Sequence, residues 1–450
     1  MKILQVVHNF LPYSYAGTEI YTYNLSKELS KRHKVFVFHR IRDERRKDYE
    51  LKQYPLNCLE IFSINNTCRS YDNFEDTYNN RRIDERFARV LDSIKPDIVH
   101  VQHLLFLSTS LIRLIKQRNI PIVFTLHDYW LLCPQGQFLK DNLTICNASS
   151  SSECAKCMIS QLSIKKGILS AYYKLRARIP SSALQLLKKT YLNYAQKSFL
   201  SEEEAINKIR RRKDFIKQLF EDVNLFVAPS RFLRNKFIEH GMPPDKIIFI
   251  RNGIDAGQFK HFERKKSDNI RFGFIGTIHP SKGIHILIEA FNRIKNENAE
   301  LKIYGELLPY SGFEYYPRLL RKICRNKNTY FMGGFENSRV AEIFSEIDVL
   351  VFLSIWQENS PLTVQEAFST NTPVIGSRIG GVPELIEDKK NGLLVEPGEP
   401  DDLYDKIKSI VNNPGLIESL RRGIDLPKSM EENRQEVEGL YKDLLKNKSD

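Results

Sequence analysis

A chain of 450 residues is too long for one ordinary domain and calls for two or three. Hydrophobic residues make up 42% and charged residues 27%, the balance of a soluble globular protein with apolar surface for sizeable cores. The net charge is +13, yet no apolar run reaches the roughly 18 residues of a membrane-spanning helix and no nucleic-acid-binding motif accompanies the charge, so neither a transmembrane span nor a nucleic-acid partner is expected.

The first residues, Met1-Lys2-Ile3-Leu4-Gln5-Val6-Val7, turn polar too quickly for a signal peptide and read as a strand. The chain is therefore expected in the cytoplasm, where thiols stay reduced. Apolar strands then alternate with helical stretches, the pattern of parallel α/β domains. One set of strand candidates is Ile3–Val7, Val35–Phe38, Glu60–Ile64, Ile98–Val101, Ile122–Leu126 and Leu225–Val227. The second is Phe272–Ile275, Leu301–Tyr304, Thr329–Met332, Val349–Phe352, Val374–Ile375 and Leu393–Val395. They predict two doubly wound sheets with ligands at the carboxyl ends of the strands.

After the first strand, Gly17 in Tyr13-Ser14-Tyr15-Ala16-Gly17-Thr18-Glu19 would let the backbone approach a ligand closely. Another strand ends in Thr125-Leu126-His127-Asp128-Tyr129-Trp130, where Asp128 could hold the tautomer of His127. From about 130 to 220 the strand pattern stops, and an insertion carries Cys133, Cys146, Cys154 and Cys157 ahead of helices such as 171–178 and 183–197. Cys154-x-x-Cys157 has metal-knuckle spacing, and four thiolates would complete a structural zinc site, with buried thiols or a redox pair as the alternative. Residues 161–220 hold 14 Lys and Arg against 4 Asp and Glu, a net of +10. That patch suits an anionic membrane surface, or else it is a solvated helical face. The Asn252-Gly253 turn and the charged run 263–268 place a domain boundary near 255–270. The first domain is expected over 1–255, the second over 270–430, and a terminal helix over 431–450.

The most informative stretch is Trp356-Gln357-Glu358-Asn359-Ser360-Pro361-Leu362-Thr363-Val364-Gln365-Glu366, which follows the apolar strand Val349–Phe352. Ser360 and Pro361 stand where a helix start wants an N-cap and an N1 proline. With Leu362 and Thr363 they would offer free N–H groups and a positive dipole end, a seat for phosphate. Glu358 precedes the seat, and Glu366 lies roughly 8 Å further along the helix axis. Two carboxylates flanking a phosphate site suit a ligand with a sugar at each end of a diphosphate.

This stretch resembles the E-x7-E signature of the group 1 (family 4) glycosyltransferases, retaining enzymes of GT-B fold. The likeness continues through Gln365-Glu366-Ala367-Phe368 and Thr372-Pro373-Val374-Ile375-Gly376. It spans nearly the whole chain and is weakest over 130–220. It implies two Rossmann-like domains with a cleft between them, a helical, cysteine-bearing insertion in the first, and a C-terminal helix that crosses back. Gly276-Thr277-Ile278-His279-Pro280-Ser281-Lys282-Gly283 resembles the family's phosphate loop, so Gly276, Thr277 and Lys282 would hold the diphosphate of a nucleotide sugar. Thr277 stands where the family often has Arg, a gap that Arg231 or Arg251 would fill. By the same resemblance Glu366 grips the ribose, Glu358 meets the transferred sugar, and His127 with Asp128 forms an acceptor-side motif. Gly17 lies in a loop like the family's Gly-Gly-x-Glu, with Ala16 replacing one glycine. Glu358, His127 and Lys282 are thus the catalytic candidates. Ser360, Pro361, Leu362 and Thr363 join Gly17 in donor binding.

The implied reaction is front-face transfer of a sugar to a glycan or lipid-linked acceptor, with retention, in cell-surface polysaccharide or glycolipid synthesis. Without an Asp-x-Asp motif, no catalytic cofactor is expected. A nucleotide-sugar epimerase of the same fold and a non-catalytic glycan- or membrane-binding scaffold are the rival readings. The location implied is cytoplasmic, peripheral on the inner face of the membrane.

Overall fold

The computed structural model describes residues 1–140, 142–147, 150–162, 200–307 and 313–447. The helices expected over 171–178 and 183–197 lie outside the described residues, together with the basic residues between 163 and 199.

Two sheets grow from runs of Val, Ile, Leu and Phe. The first contains β1 (Lys2–Val7), β2 (Lys34–Ile41), β3 (Leu51–Leu56), β4 (Leu59–Asn65), β5 (Ile98–Val101), β6 (Ile122–Thr125), β7 (Leu225–Ala228) and β8 (Ile247–Phe249). Their order is β3-β4-β2-β1-β5-β6-β7-β8. Every pair is parallel except β3 with β4. The sequence pattern misses β3 and β8, and for visible reasons. β3 is a half-exposed edge strand interrupted by Pro55, which only an edge tolerates, while β8 is three residues long.

The second sheet contains β9 (Ile270–Ile275), β10 (Ala299–Tyr304), β11 (Thr329–Gly333), β12 (Val349–Phe352), β13 (Val374–Ser377) and β14 (Gly392–Val395). They run all-parallel in the order β11-β10-β9-β12-β13-β14. Successive residues feed opposite faces, so each sheet has two cores. Leu4, Val6, Phe36 and Phe38 pack on one side of the first sheet and Ile3, Val7, Val35 and Val37 on the other. Phe272, Leu301, Val349 and Val351 do the same on one side of the second sheet, opposite Leu350, Phe352, Val374 and Leu394. The fold is the expected pair of Rossmann-like domains in GT-B arrangement. Strand order reverses between β1 and β5 and again between β9 and β12, the places where such sheets bind ligands.

Two elements tie the halves together. The helix Met430–Lys446 starts on a Ser429–Glu432 capping box and lays Met430, Val437 and Tyr441 on the first sheet's core beside Ile3, Tyr21 and Leu25. Where the returning chain meets the linker, Ile254 N–H donates to Lys428 O at 3.0 Å and Met430 N–H donates to Ile254 O at 2.8 Å. A Cβ on Gly253 would stand 2.4 Å from Ser429 O, so that crossing needs glycine. In the insertion, the helix Glu202–Asp222 carries the Lys208–Lys213 basic run. It turns Ala205, Ile209, Ile216, Leu219 and Phe220 into the first domain's core. Its apolar stripe is therefore covered by protein, with Arg210, Arg211 and Lys217 exposed.

Candidate active site

Lys282 and Glu358 leave neighbouring strands at the second sheet's reversal point. Gly276 turns the chain out of β9 at φ 149°, and Pro280–Lys282 forms a short 3-10 turn before the helix Ile284–Phe291. Lys282 Nζ forms an ion pair with Glu358 Oε1, which also accepts from Ser354 Oγ at 2.7 Å. The amine stands over the rings of Phe352 and Trp356, 5.6 and 5.4 Å from their centroids. Thr277 is exposed on the same loop. Arg251 donates from Nη2 to Glu384 O at 3.0 Å and Arg231 stacks on Phe249 at 4.8 Å, so both are engaged where the domains meet.

The helix after Glu358 starts one residue later than the sequence pattern predicts. Pro361 is the N-cap, at φ −63° and ψ 120°, and Leu362 opens the helix Leu362–Ser369. Ser360 does not cap it; its Oγ accepts from Gln365 Nε2 at 3.3 Å. The extended ψ of Pro361 keeps it outside the helix, and among the described residues no side chain accepts from the first-turn N–H groups of Leu362 and Thr363. Glu366 is buried one turn on, and burial pushes its carboxyl up to about 7. Gly380 and Gly381 pack against the backbone of this segment. Gly381 N–H donates to Glu358 O at 2.6 Å, and Cβ atoms on the two glycines would lie 2.2 Å from Glu358 O and 1.9 Å from Asn359 O.

The first domain supplies the opposite wall. Gly17 opens the helix Gly17–Ser30, whose N-cap, Ala16, makes no side-chain cap. A Cβ on Gly17 would lie 3.9 Å from Leu362 Cδ1, so two helix starts whose N-cap residues make no side-chain cap oppose each other across the cleft. His127 follows β6 and shares Nε2 with Gln102 Oε1 at 2.8 Å, while Gln102 Nε2 donates to Gln5 Oε1 at 3.0 Å. That relay puts the ring proton on Nε2 and leaves Nδ1 as the basic atom. Burial lowers the imidazole to about 3, with His103 adding to the fall and Asp128 opposing it. The carbonyl of His127 accepts from Asn359 Nδ2 at 2.7 Å, a direct link between the domains.

Asp128 does not hold His127, contrary to the sequence-based expectation. Its Oδ1 accepts from His103 Nε2 at 3.1 Å and from Trp130 N–H at 2.8 Å. Adjacent residues at a strand end point to opposite faces, which separates the two side chains.

The profile of the family described as glycosyl transferases group 1 matches residues 256–436, the half that carries Lys282, Glu358 and Glu366. The profile described as glycosyltransferase family 4 matches residues 15–150, with Gly17 and His127. The chain belongs to the group 1 glycosyltransferases. An uncharacterised glycosyltransferase of Methanocaldococcus jannaschii is 28% identical over 209 residues, 46% of this chain and 55% of the relative. The capsular polysaccharide biosynthesis glycosyltransferase CapM of Staphylococcus aureus is 24% identical over 258 residues, 52% of this chain and 67% of the relative. The chain spans about half the length of the first of the curated relatives it matches. Among solved structures, sucrose-phosphate synthase from Thermosynechococcus elongatus superposes with a TM-score of 0.66 at 16% identity, covering 99% of both chains. Anabaena HepE in complex with UDP and glucose gives a TM-score of 0.62 at 15% identity, covering 98% of this chain and 100% of that one. At such identities the likeness is one of fold.

The fold brings together the four thiols on which the zinc expectation for this group 1 glycosyltransferase rests. Cys154 and Cys157 lie on the helix Ser151–Cys157. Burial pushes the Cys154 thiol up, Lys213 opposes the rise, and Cys133, Cys146 and Cys157 add to it, so the four are neighbours. Gln135 Nε2 donates to Cys157 Sγ at 3.2 Å. Among the described residues, however, no group of three or more His, Cys, Asp or Glu side chains is arranged to hold a metal ion. Cys133, Cys146 and Cys154 pack part-buried against the first core. Among the described residues no helix is long and apolar enough to cross a membrane.

Sequence reasoning assigned no site role to Gln102, Ser354, Asn359 or Glu384. Asn359 and Ser354 were within reach, since both flank Glu358 in the chain. Gln102 and Glu384 act on partners 25 and 152 residues away and left no local signal.

Proposed function

We propose that this group 1 glycosyltransferase moves a sugar from a nucleoside diphosphate sugar to a hydroxyl of a glycan or lipid-linked acceptor, with retention at the anomeric carbon. The observation that carries the reading is the Lys282–Glu358 pair beside the uncapped start of Leu362–Ser369, with Glu366 buried on the same helix. The diphosphate would take the N–H groups of Leu362 and Thr363, and Gly17 would bring a second helix start to its other side. Lys282 would share its amine between Glu358 and the phosphate. As the bond to the sugar breaks, charge grows on the leaving oxygen, and the same ammonium stabilises it. Glu366 would accept from the two ribose hydroxyls, which replace the solvation its burial removes. Glu358 would meet the transferred sugar, and His127 Nδ1 would accept from a sugar hydroxyl. The acceptor's proton would pass to the leaving phosphate oxygen on the same face.

The name of the Staphylococcus aureus relative supports a role in capsule or cell-surface polysaccharide synthesis, and the UDP and glucose bound to HepE support a UDP-sugar donor. The exposed Arg210, Arg211 and Lys217 support docking on an anionic membrane surface from the cytoplasmic side. The test is a panel of nucleotide sugars screened by thermal shift, followed by product analysis with and without acceptor. A donor that stabilises the protein and is consumed only when acceptor is present is expected. Conversion without acceptor would replace this reading with an epimerase, and stabilisation by no nucleotide sugar would end it.

A further inference from the structure

We propose that the acceptor of this enzyme carries an anionic group, a carboxylate or a phosphate, and that Arg40 binds it. The inference rests on the glycosyltransferase reading above and adds a substrate class to it. In the β1–β2 ladder Val7 is level with His39, which sets His8 level with Arg40. Leu4, Val6, Phe36 and Phe38 occupy one face, so His8 and Arg40 are next on that face as the strands end. His103 follows Val99 and Val101 on the same side, and Asp128 follows Phe124 and Leu126. In strand order the carboxyl edge therefore reads Arg40, His8, His103, Asp128. The His8 and His103 rings lie 4.4 Å apart, and Arg40 is near enough to lower the His8 imidazole further after burial, His103 and His127 have done so. This is the edge that meets the second domain through Gly17 and Leu362 and through His127 and Asn359.

Arg40 is only 6% exposed, yet it pairs with no carboxylate among the described residues. Its Nε donates to Asn66 O at 2.7 Å, its Nη1 approaches Asn9 Oδ1 at 3.5 Å, and its plane lies 4.5 Å from the Phe106 ring centroid. Asn66 is held in turn by its Nδ2 bonds to Tyr71 Oη and Phe106 O, both at 2.8 Å. No described residue accepts from Nη2, and that atom is not sealed from solvent. Arginines buried elsewhere have counter-charges, as Arg271 has Asp348 at 2.9 Å and Arg434 has Glu438. Arg212 is the exception, resting on the Trp130 ring and carbonyl inside the insertion.

A desolvated guanidinium is costly unless an anion answers it, and its fork matches a two-oxygen anion. On the His8 side of it, His8 Nδ1 and Glu19 Oε2 are buried with no hydrogen-bond partner among the described residues, and Glu19 Oε1 lies 3.5 Å from His8 Nε2. These orphaned atoms suit the hydroxyls of a sugar ring next to the charge. On the same loop, Tyr13 and Tyr15 are 61% and 57% exposed and offer rings on which a sugar can stack.

The experiment titrates the full chain, saturated with whichever nucleoside diphosphate raises its melting temperature most, with glucose, glucuronic acid and glucose 1-phosphate. Both charged probes, or one of them, should bind at least about tenfold tighter than glucose, a difference of roughly 1.4 kcal/mol. Arg40→Gln should abolish that preference and Arg40→Lys retain part of it, with nucleotide affinity unchanged in both. Tighter glucuronate points to an acidic sugar, tighter glucose 1-phosphate to a phosphorylated acceptor, and each supports the proposal. Equal binding of charged and neutral probes by the wild type, no binding of either charged probe, or a preference that survives Arg40→Gln overturns it. Should Arg40→Gln not fold, the wild-type comparison together with Arg40→Lys decides. Loss of nucleotide binding by the wild type would strike the glycosyltransferase reading itself. Retained nucleotide binding without charge preference strikes only the acceptor assignment.

Discussion

Glu384, in the second domain, accepts a hydrogen bond from the backbone N–H of Phe232, in the first, at 2.7 Å, and its other oxygen accepts from Arg231 N–H at 2.9 Å. A carboxylate thus sits on the positive end of the helix Arg231–Glu239, where free N–H groups and the dipole favour an anion. The loop that presents it also carries Gly380 and Gly381, which contact the backbone of Glu358 and Asn359. One loop therefore holds both the contact between the domains and the backbone that carries Glu358.

Removing that contact should loosen the cleft. Glu384→Ala loses two charge-assisted hydrogen bonds, together worth about 2–4 kcal/mol. The donor kcat/KM should fall about 10- to 100-fold while the radius of gyration measured by small-angle scattering increases. Glu384→Gln keeps one acceptor and should lie between. Unchanged scattering and kinetics in the alanine variant would remove the latch from the account.

Lys282→Ala deprives Glu358 of its cation and the diphosphate of its point charge. Turnover should drop at least about 100-fold, because the lost interaction grows as the leaving group gains charge. Donor KM should change less than kcat. A variant that loses only donor affinity would instead make Lys282 a ground-state binding group.

Glu366 gives a pH signature. Its carboxyl is raised from 4.5 to about 7 by burial. Between those values the folded protein keeps a proton that the unfolded chain has released, so unfolding releases it and stability falls as pH rises through that window. Donor binding works in the other direction if the carboxylate form holds the ribose. KM should decline as pH climbs through about 7, and Glu366→Gln should flatten both dependences. A wild-type donor KM that is level from pH 6 to 8 would contradict the ribose assignment.

Gly253→Ala tests the crossing of the terminal helix. The new Cβ would have to displace Ser429 O from 2.4 Å and would also crowd Asn433. A loss of about 2 kcal/mol, read as a fall of several degrees in melting temperature, is expected. Active-site geometry lies elsewhere, so donor KM measured well below the melting temperature should stay within about twofold.

The sequence alone carried the two sheets, since strands buried on both faces announce themselves as apolar runs. It also carried the E-x7-E helix and the loop ending in Lys282, because the chemistry of a phosphate seat is written in consecutive residues. It failed where partners are remote. The half-exposed edge strand with Pro55 has no core pattern to read. Asp128 stands next to His127 in the chain but belongs to His103, since neighbours in an extended segment face opposite ways.

Composition and local pattern, then, determined most of the strands and marked the loops proposed to hold a nucleotide sugar. Only the tertiary structure decided that Gln102 orients His127, that Glu384 clasps the opposite domain, and that Arg40 is buried without an ion pair among the described residues. The reason is physical: a periodic run reports the burial of its own residues, whereas hydrogen bonds and charge balance depend on which strands become neighbours and how two domains meet.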